Sequence, residues 1–417
     1  MKDTAFEADQ TRSSTFYYGY IIVLAAFFIL LLVEGIHSTF GIFFTPLLHE
    51  FGLDRAETSG IASITMLLTG LLGIVMGRIS DKLGPRLVLT TCGVLVGLSL
   101  LLMSRVSAVW QLYAIYGVML GIGRSGVMVP LMSTVARWFT KKRSLMTGIV
   151  INGIGIGSLI FAPTAGRLIA LYEWRTAYLV MGSIALVFLL FFAQFLRRDP
   201  SKTKQSLNTD TGSVESLTSL QDVESSFKDA ARMVQFWLVI ILFFCLGFTR
   251  LTTIVHIVPY AIGTGMSSIR AANILAVLGG MSIITTLVSG TLGDRIGNRK
   301  MIMIGFIMTI AAYSLLSVAR ADYMFFLAAV IFSLNWGIAS CESPLVAGLF
   351  GLKSHGTIFG VMGLSYTMGA AVGPFIAGYL FDITGSYTIA FAVCIALSIL
   401  AIIALRIVRP AQGNSCL

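Results

Sequence analysis

GRISDKLGPR, residues 77–86, returns 213 positions later as GTLGDRIGNR, residues 290–299. Both copies read Gly-x-x-x-Asp, a basic residue, x, Gly, x, Arg, and each bridges two long apolar stretches. An internal repeat of this kind makes the chain a duplicated membrane unit of about 210 residues per half, an organisation that points to a transporter.

Working outward, apolar runs of roughly 20 residues recur along the whole length, each long enough to span a bilayer. Twelve are expected, near 18–46, 58–79, 87–104, 110–136, 144–170, 175–196, 233–262, 271–292, 301–319, 323–350, 356–381 and 387–408. Composition agrees: 56% of residues are hydrophobic and 12% charged, where a soluble domain carries about 25% charged residues. The net charge of +10 follows topology. With both termini in the cytoplasm, the tails, the loops on that side and the adjoining helix ends hold 21 of the 29 Lys and Arg, and the opposite side holds six. That asymmetry is the positive-inside bias, so no nucleic-acid partner is inferred. The first apolar run is too long for a leader h-region, so no cleavable signal peptide is expected. Five scattered cysteines (92, 245, 341, 394 and 416) suggest neither a disulfide framework nor a metal site.

Six spans precede the longest polar stretch, 197–232, and six follow it. Its Ser- and Thr-rich middle reads as a flexible cytoplasmic linker, with a short interfacial helix at 227–232 leading into the seventh span. The expected organisation is therefore a six-helix bundle over 1–196, a linker over 197–232 and a second bundle over 233–417. A phosphate-cradling glycine-lysine loop does not occur, so ATP hydrolysis, enzymatic activity and cofactors are not expected.

Two copies of the loop motif at equivalent places resemble the major facilitator superfamily, which implies an all-α membrane protein of twelve transmembrane helices in two pseudo-symmetric bundles. In that family the motif is a conformational latch, which carries over to Gly77, Asp81, Arg86, Gly290, Asp294 and Arg299. Its chemistry is legible: glycines allow close approach and a tight turn, and the aspartates can face helix N-termini or basic side chains. The stretches YYGYIIVLAAFF, GIFFTPLLHEFG, ARWFTKKRSLMTGI, EWRTAYLVMG, HIVPYAI, GLFGLKSHGTIFG and GPFIAGYLFDITGSY are similar to bacterial monocarboxylate porters and oxalate/formate-antiporter-like proteins. The resemblance spans about 17–388 and is specific for the branch, not for a substrate. It implies an inner-membrane location and a monomer.

Ionisable side chains deep in a bilayer cost about 2.5–3.5 kcal/mol each on insertion scales, so each needs a partner or a purpose. Glu34, Arg124, Arg250 and Glu342, with His37 and His256, fall only on helices 1, 4, 7 and 10. In the resembled superfamily these line the central cavity. A guanidinium offers planar forked donors that suit a carboxylate. Arg124 and Arg250 are thus candidates for substrate contact, or else for neutralising Glu34 or Glu342. Glu34 and His37, three residues apart, share a helix face and are candidates for proton coupling, Glu34 alternatively for a permanent ion pair. Glu342, on the same face as Asn335, carries the same two readings, with the structural one preferred. Thr249, Thr252, Thr253 and His256 form one helical stripe, from which Arg250 is displaced by roughly 100°. His256 is read as a substrate or proton contact, or as satisfying a neighbouring carbonyl, and Tyr260 as an outer gate. Asn335 completes the substrate-side set. Glycines 153, 155 and 157 on helix 5, and 369, 373 and 378 on helix 11, allow close helix packing. Pro130, Pro259 and Pro374 are expected to bend their helices.

Many of the resembled proteins carry a basic residue on helix 8 or 11 that meets the anion. Here 271–291 and 357–380 contain no charge, so the cation would have moved to Arg124 or Arg250. The reading is a secondary transporter of a small organic anion, a mono- or dicarboxylate, coupled to protons. An anion exchanger working with a counter-anion is the close variant. A drug exporter is disfavoured because 162–166 reads APTAG and position 117 is glycine, departing from the exporter motifs. A transporter-like sensor would call for an added signalling domain, and both tails are short.

Overall fold

Backbone N–H and C=O groups have no water to bond in a bilayer core, so a chain this apolar must satisfy them within helices. The computed structural model describes residues 17–53, 55–198 and 226–408; most of the expected linker and both tails lie outside them. All extended apolar runs among the described residues are helical. Helix α1 is Gly19–Ser38, continued beyond Thr39 as Phe40–Phe51. At the joint, the hydroxyls of Ser38 and Thr39 donate back to the Gly35 and Ile36 carbonyls at 2.6 Å each, a bond that bends helices. Then come α2 (Arg55–Leu83), α3 (Pro85–Met103) and α4 (Val109–Trp138).

The next helical stretch, Arg143–Ala193, is 51 residues long. At 1.5 Å per residue it would reach about 76 Å, more than twice a bilayer core. It is in fact two helices, α5 (143–172) and α6 (174–193), meeting at Glu173, whose φ of 75° is non-helical. Neighbours of the break hold it: Glu50 accepts from the Trp174 indole and pairs with Arg175, whose guanidinium lies 4.4 Å from the Trp174 ring centre. A short helix, Phe227–Arg232, is capped reciprocally by Ser226 and Asp229. It leads into α7 (Val234–Gly263), followed by α8 (Ser268–Ile296), α9 (Asn298–Ser317), α10 (Asp322–Phe350, jointed at Ile338), α11 (His355–Thr384) and α12 (Thr388–Ile407). With the Glu173 break, the 11 apolar spans resolve into the twelve expected helices.

Within each half the first helix packs on the fifth, α1 on α5 and α7 on α11. A methyl at Gly157 would meet the Leu31 carbonyl oxygen at 2.2 Å, and one at Gly369 that of Phe244 at 2.1 Å. Between halves, α2 runs along α11 and α5 along α8. The four cysteines among the described residues are free and buried.

Candidate functional site

Arg124 lies at mid-height on α4 and is 6% exposed. One terminal nitrogen, Nη2, donates to Glu34 Oε2 of α1 at 2.6 Å. Its Nε and Nη1 are buried with no protein hydrogen-bond partner. An unpaired buried donor on a charged group costs several kcal/mol, and this edge of the guanidinium could donate to an anion's oxygens. Glu34 keeps a partly exposed side chain (21%). One turn along α1, His37 Nδ1 lies 3.3 Å from the Tyr116 hydroxyl.

Tyr116 was not among the sequence candidates, and its position has a local cause. Residues Tyr113–Met119 of α4 form a π-helical turn, and the Tyr116 carbonyl accepts from the Thr65 hydroxyl of α2 at 2.8 Å. In a regular helix the eight residues from Tyr116 to Arg124 rotate by about 80° beyond two turns. The extra residue of an i→i+5 turn changes that register between Tyr116 and Arg124. The ring is fully enclosed by Phe40 and Tyr178, at centroid distances of 4.7 and 6.5 Å.

Arg250 of α7 is situated differently. It is 3% exposed, and all three nitrogens have polar neighbours. Nε donates to Asn335 Oδ1 at 2.9 Å, Nη2 to the Asn335 carbonyl at 2.5 Å, and Nη1 lies 2.8 Å from Glu342 Oε1. That last contact is close but off the N–H axis, an ion pair rather than an aligned hydrogen bond. Trp336 and Tyr366 flank the guanidinium at 5.3 and 5.8 Å from their ring centres, and Asn335 is itself anchored through Nδ2 to Thr309 Oγ1 at 2.6 Å. The charged groups therefore pair within halves: Glu34 with Arg124, and Arg250 with Glu342.

His256 is bonded on both nitrogens, Nε2 to the Pro374 carbonyl at 2.9 Å and Nδ1 to the Tyr387 hydroxyl at 3.1 Å. A carbonyl only accepts, so Nε2 carries a proton toward Pro374, and the Tyr387 hydroxyl can serve Nδ1 as donor or as acceptor. Tyr260 donates to the Leu316 carbonyl at 2.9 Å and packs on Phe325, Tyr387 and Phe391. The structure thus groups Glu34, His37 and Arg124 in one cluster, Arg250, Asn335 and Glu342 in a second, and His256 with Tyr260 in a third.

The two loop motifs lie at one end of the bundle, where the halves touch. Asp81 Oδ1 accepts from the Gly356 amide at 3.2 Å and Oδ2 from the Thr357 amide at 3.0 Å, at the start of α11. Asp294 does the same at the start of α5, accepting from Ser144 and Leu145 amides at 2.8 and 3.0 Å. Each carboxylate fills orphan donors at a helix N-terminus of the opposite half, where the helix dipole also favours it. Glycine is required one turn before each aspartate: a methyl at Gly77 would lie 2.3 Å from the Gly356 oxygen, and one at Gly290 2.8 Å from the Ser144 oxygen. The arginines tie back within their own halves, Arg86 to Gln194 Oε1 at 2.9 Å through Nε and Arg299 to the Arg406 carbonyl at 2.8 Å. The two aspartate contacts are unequal. Arg137 pairs with Asp81 at 3.1 Å and crosses the seam to the Leu352 carbonyl at 2.5 Å.

The sequence model of the major facilitator superfamily matches residues 23–341 and 265–415. Among curated relatives, monocarboxylate transporter 13 of Rattus norvegicus is 29% identical over 387 residues, covering 90% of this chain and 85% of its own. Monocarboxylate transporter 12 of the same species is 26% identical over 402 residues, covering 90% and 82%. Among solved structures, the proton:xylose symporter XylE superposes with a TM-score of 0.76 at 15% identity, covering 95% of this chain and 97% of that one. The outward conformation of FucP gives 0.71 at 16%, covering 93% and 99%.

Proposed function

This chain belongs to the major facilitator superfamily and is a multi-pass membrane transporter rather than an enzyme; on that footing we propose that it carries a small organic anion, a carboxylate, coupled to protons. The single observation behind this reading is the buried edge of Arg124, whose Nε and Nη1 have no protein acceptor while Glu34 occupies Nη2. A carboxylate matches two donors of one guanidinium in a planar fork. Glu34, on Nη2 of the same guanidinium, is the carboxylate placed to carry the coupled proton. His37 and the Tyr116 hydroxyl form the adjacent polar wall. The relatives named as monocarboxylate transporters support the same substrate class. Under this reading the protein lies in the cell's inner membrane as a monomer, with both termini and the latch in the cytoplasm, and this conformation is closed on that side. Transport then requires the two latches to release as the halves rock.

The test is uptake of labelled small carboxylates into proteoliposomes, with and without an inward proton gradient. Gradient-stimulated uptake lost in Arg124→Gln is the expected result. Uptake that responds only to a counter-anion inside, and not to the gradient, would make the protein an exchanger. No uptake of any acid under either condition would overturn the anion reading.

A further inference from the structure

The seam between the halves holds a titratable group that neither the anion site nor the aspartate caps use. His355 opens α11 and is fully buried. Its Nε2 meets the Ser343 hydroxyl of α10 at 3.1 Å, Nδ1 has no hydrogen-bond partner, and the ring stacks on Phe359 with 5.7 Å between centres. Contacts from the N-terminal half bracket it. Arg137 reaches the carbonyl of Leu352, just before it in the chain, and Asp81 accepts from the amides of Gly356 and Thr357, just after it. The Met132 carbonyl touches Ser343 at 3.5 Å.

The charges around His355 are divided unevenly between the halves. From the N-terminal half come Arg137 of α4 and Arg143 of α5, both within electrostatic reach of the ring, and Asp81 of α2, which pairs with Arg137. Arg143 is 7% exposed, donates through Nε to the Phe139 carbonyl and has no partner for Nη2. From the C-terminal half comes Asp294 of α8, within reach of Arg143. Helix α10 offers the ring a hydroxyl, its Glu342 being paired with Arg250, and α7 offers Phe243 against Phe359. Lys353, at the edge, is exposed and lies near Asp229. With a neutral ring, two guanidinia and one carboxylate on the N-terminal side face the carboxylate of Asp294, and the seam is attractive.

We propose that His355 is an acid-sensitive release for this seam: a proton on its ring sets a cation opposite Arg137 and Arg143 and drives the halves apart at the latch end. The imidazole belongs to one half and both guanidinia to the other, so rocking separates them. In the closed seam a protonated ring also carries an Nδ1–H without an acceptor. Once the seam opens, water supplies that acceptor and screens the charges. A proton held preferentially by the open state shifts the population toward it. The carboxylate reading enters only in calling this side the cytoplasm, where acid would then expose the inward face.

Pulsed electron paramagnetic resonance between nitroxides reads the opening directly, in detergent and without substrate. The labels go on Leu83→Cys and Ile407→Cys, at the exposed ends of α2 and α12, in a background lacking native cysteines. Between about pH 8 and about pH 6, across the range where imidazole titrates, the longer-distance population is expected to grow about fivefold, the low end of usual coupling between sites. In His355→Gln, which keeps a hydrogen-bonding side chain and takes no proton, that population is expected to stay level. His355→Phe, which keeps a ring on Phe359 and also takes no proton, is the second variant should the first not fold. A distance distribution in the otherwise unaltered protein that ignores pH would overturn the proposal. So would a pH response retained in either folded variant. Neither result touches the carboxylate reading, which the uptake assay tests separately.

Discussion

Arg124 and Arg250 are the same residue type near the middle of their helices, yet their surroundings differ. Arg250 has hydrogen-bond acceptors on Nε and Nη2 and an ion-pair partner at Nη1; Arg124 has an acceptor for Nη2 alone. The distinction predicts separable phenotypes. Arg124→Lys keeps the charge and loses the fork, so KM should rise about tenfold to a hundredfold, the equivalent of losing 1.5–3 kcal/mol of charged hydrogen bonding. Solubility and thermal stability should stay near wild type. Concentration-dependent uptake beside a detergent melting curve checks this, and a Lys variant with unchanged KM would remove Arg124 from the anion site. The sequence singles out both arginines because charge in an apolar run is conspicuous. It does not say which one is occupied, since Asn335 and Glu342 lie 85 and 92 positions from Arg250 and meet it only through the packing of α7 against α10. His256 shows the same limit from the other side. Its HIVPYAI context leaves open a substrate contact or a bond to a neighbouring carbonyl, and the carbonyl, that of Pro374, is 118 positions away in the chain.

Helices carry the information that residue lists miss. Tyr116 is invisible to periodicity because the π turn at Tyr113–Met119 changes the register by one residue, and nothing in YAIYGVM announces it. Thr65, donating to the Tyr116 carbonyl, is the group outside α4 that satisfies this turn. Thr65→Val should therefore cost about 1–2 kcal/mol, the loss of a hydrogen bond to a buried carbonyl, and raise KM by loosening the turn that carries Tyr116. A regular α4 in a solved structure of the variant, with altered KM, is the expected outcome; an unchanged KM would separate the turn from the site. The loop motif, by contrast, is legible almost in full. Gly84 and Gly297 take φ of 90° and 93°, each aspartate caps a helix across the seam, and Gly77 and Gly290 sit where a methyl would strike backbone. What the motif does not announce is Arg137, which pairs with Asp81 and reaches the Leu352 carbonyl. Gly77→Ala should accordingly favour separation of the halves at this end. In a background lacking native cysteines, Ser343→Cys, buried at the seam beside the Met132 carbonyl, should be alkylated about tenfold faster when Gly77→Ala is added. Asp81→Asn should accelerate labelling more than Asp294→Asn, because it breaks an ion pair as well as the cap.

At the scale of the whole molecule, the duplicated halves share a backbone plan and invert its charges. Glu34 falls six residues after Phe27-Phe28 on α1, and Arg250 six after Phe243-Phe244 on α7. Each then pairs with a partner of opposite sign on the fourth helix of its own half, Arg124 on α4 and Glu342 on α10. Neutralisation within a half has a mechanical consequence. When two rigid bundles rock, contacts across the seam must break, and a buried ion pair broken without compensation costs about 3–5 kcal/mol. Pairs confined to one bundle travel with it and add no such barrier, so the seam can be held by the aspartate caps, which water and the loop ends can replace on opening. A double-mutant cycle tests this placement of charge. Arg250→Gln and Glu342→Gln should each destabilise the protein, and the double variant should recover part of the loss, a coupling of about 1–3 kcal/mol. Arg124→Gln combined with Glu342→Gln should be additive within about 0.5 kcal/mol, because the two belong to different halves. Denaturant unfolding in detergent measures both. Strong coupling between Arg124 and Glu342 would mean that the pairs exchange across the seam during the cycle, and the halves would then be linked by their charges as well as by their latches.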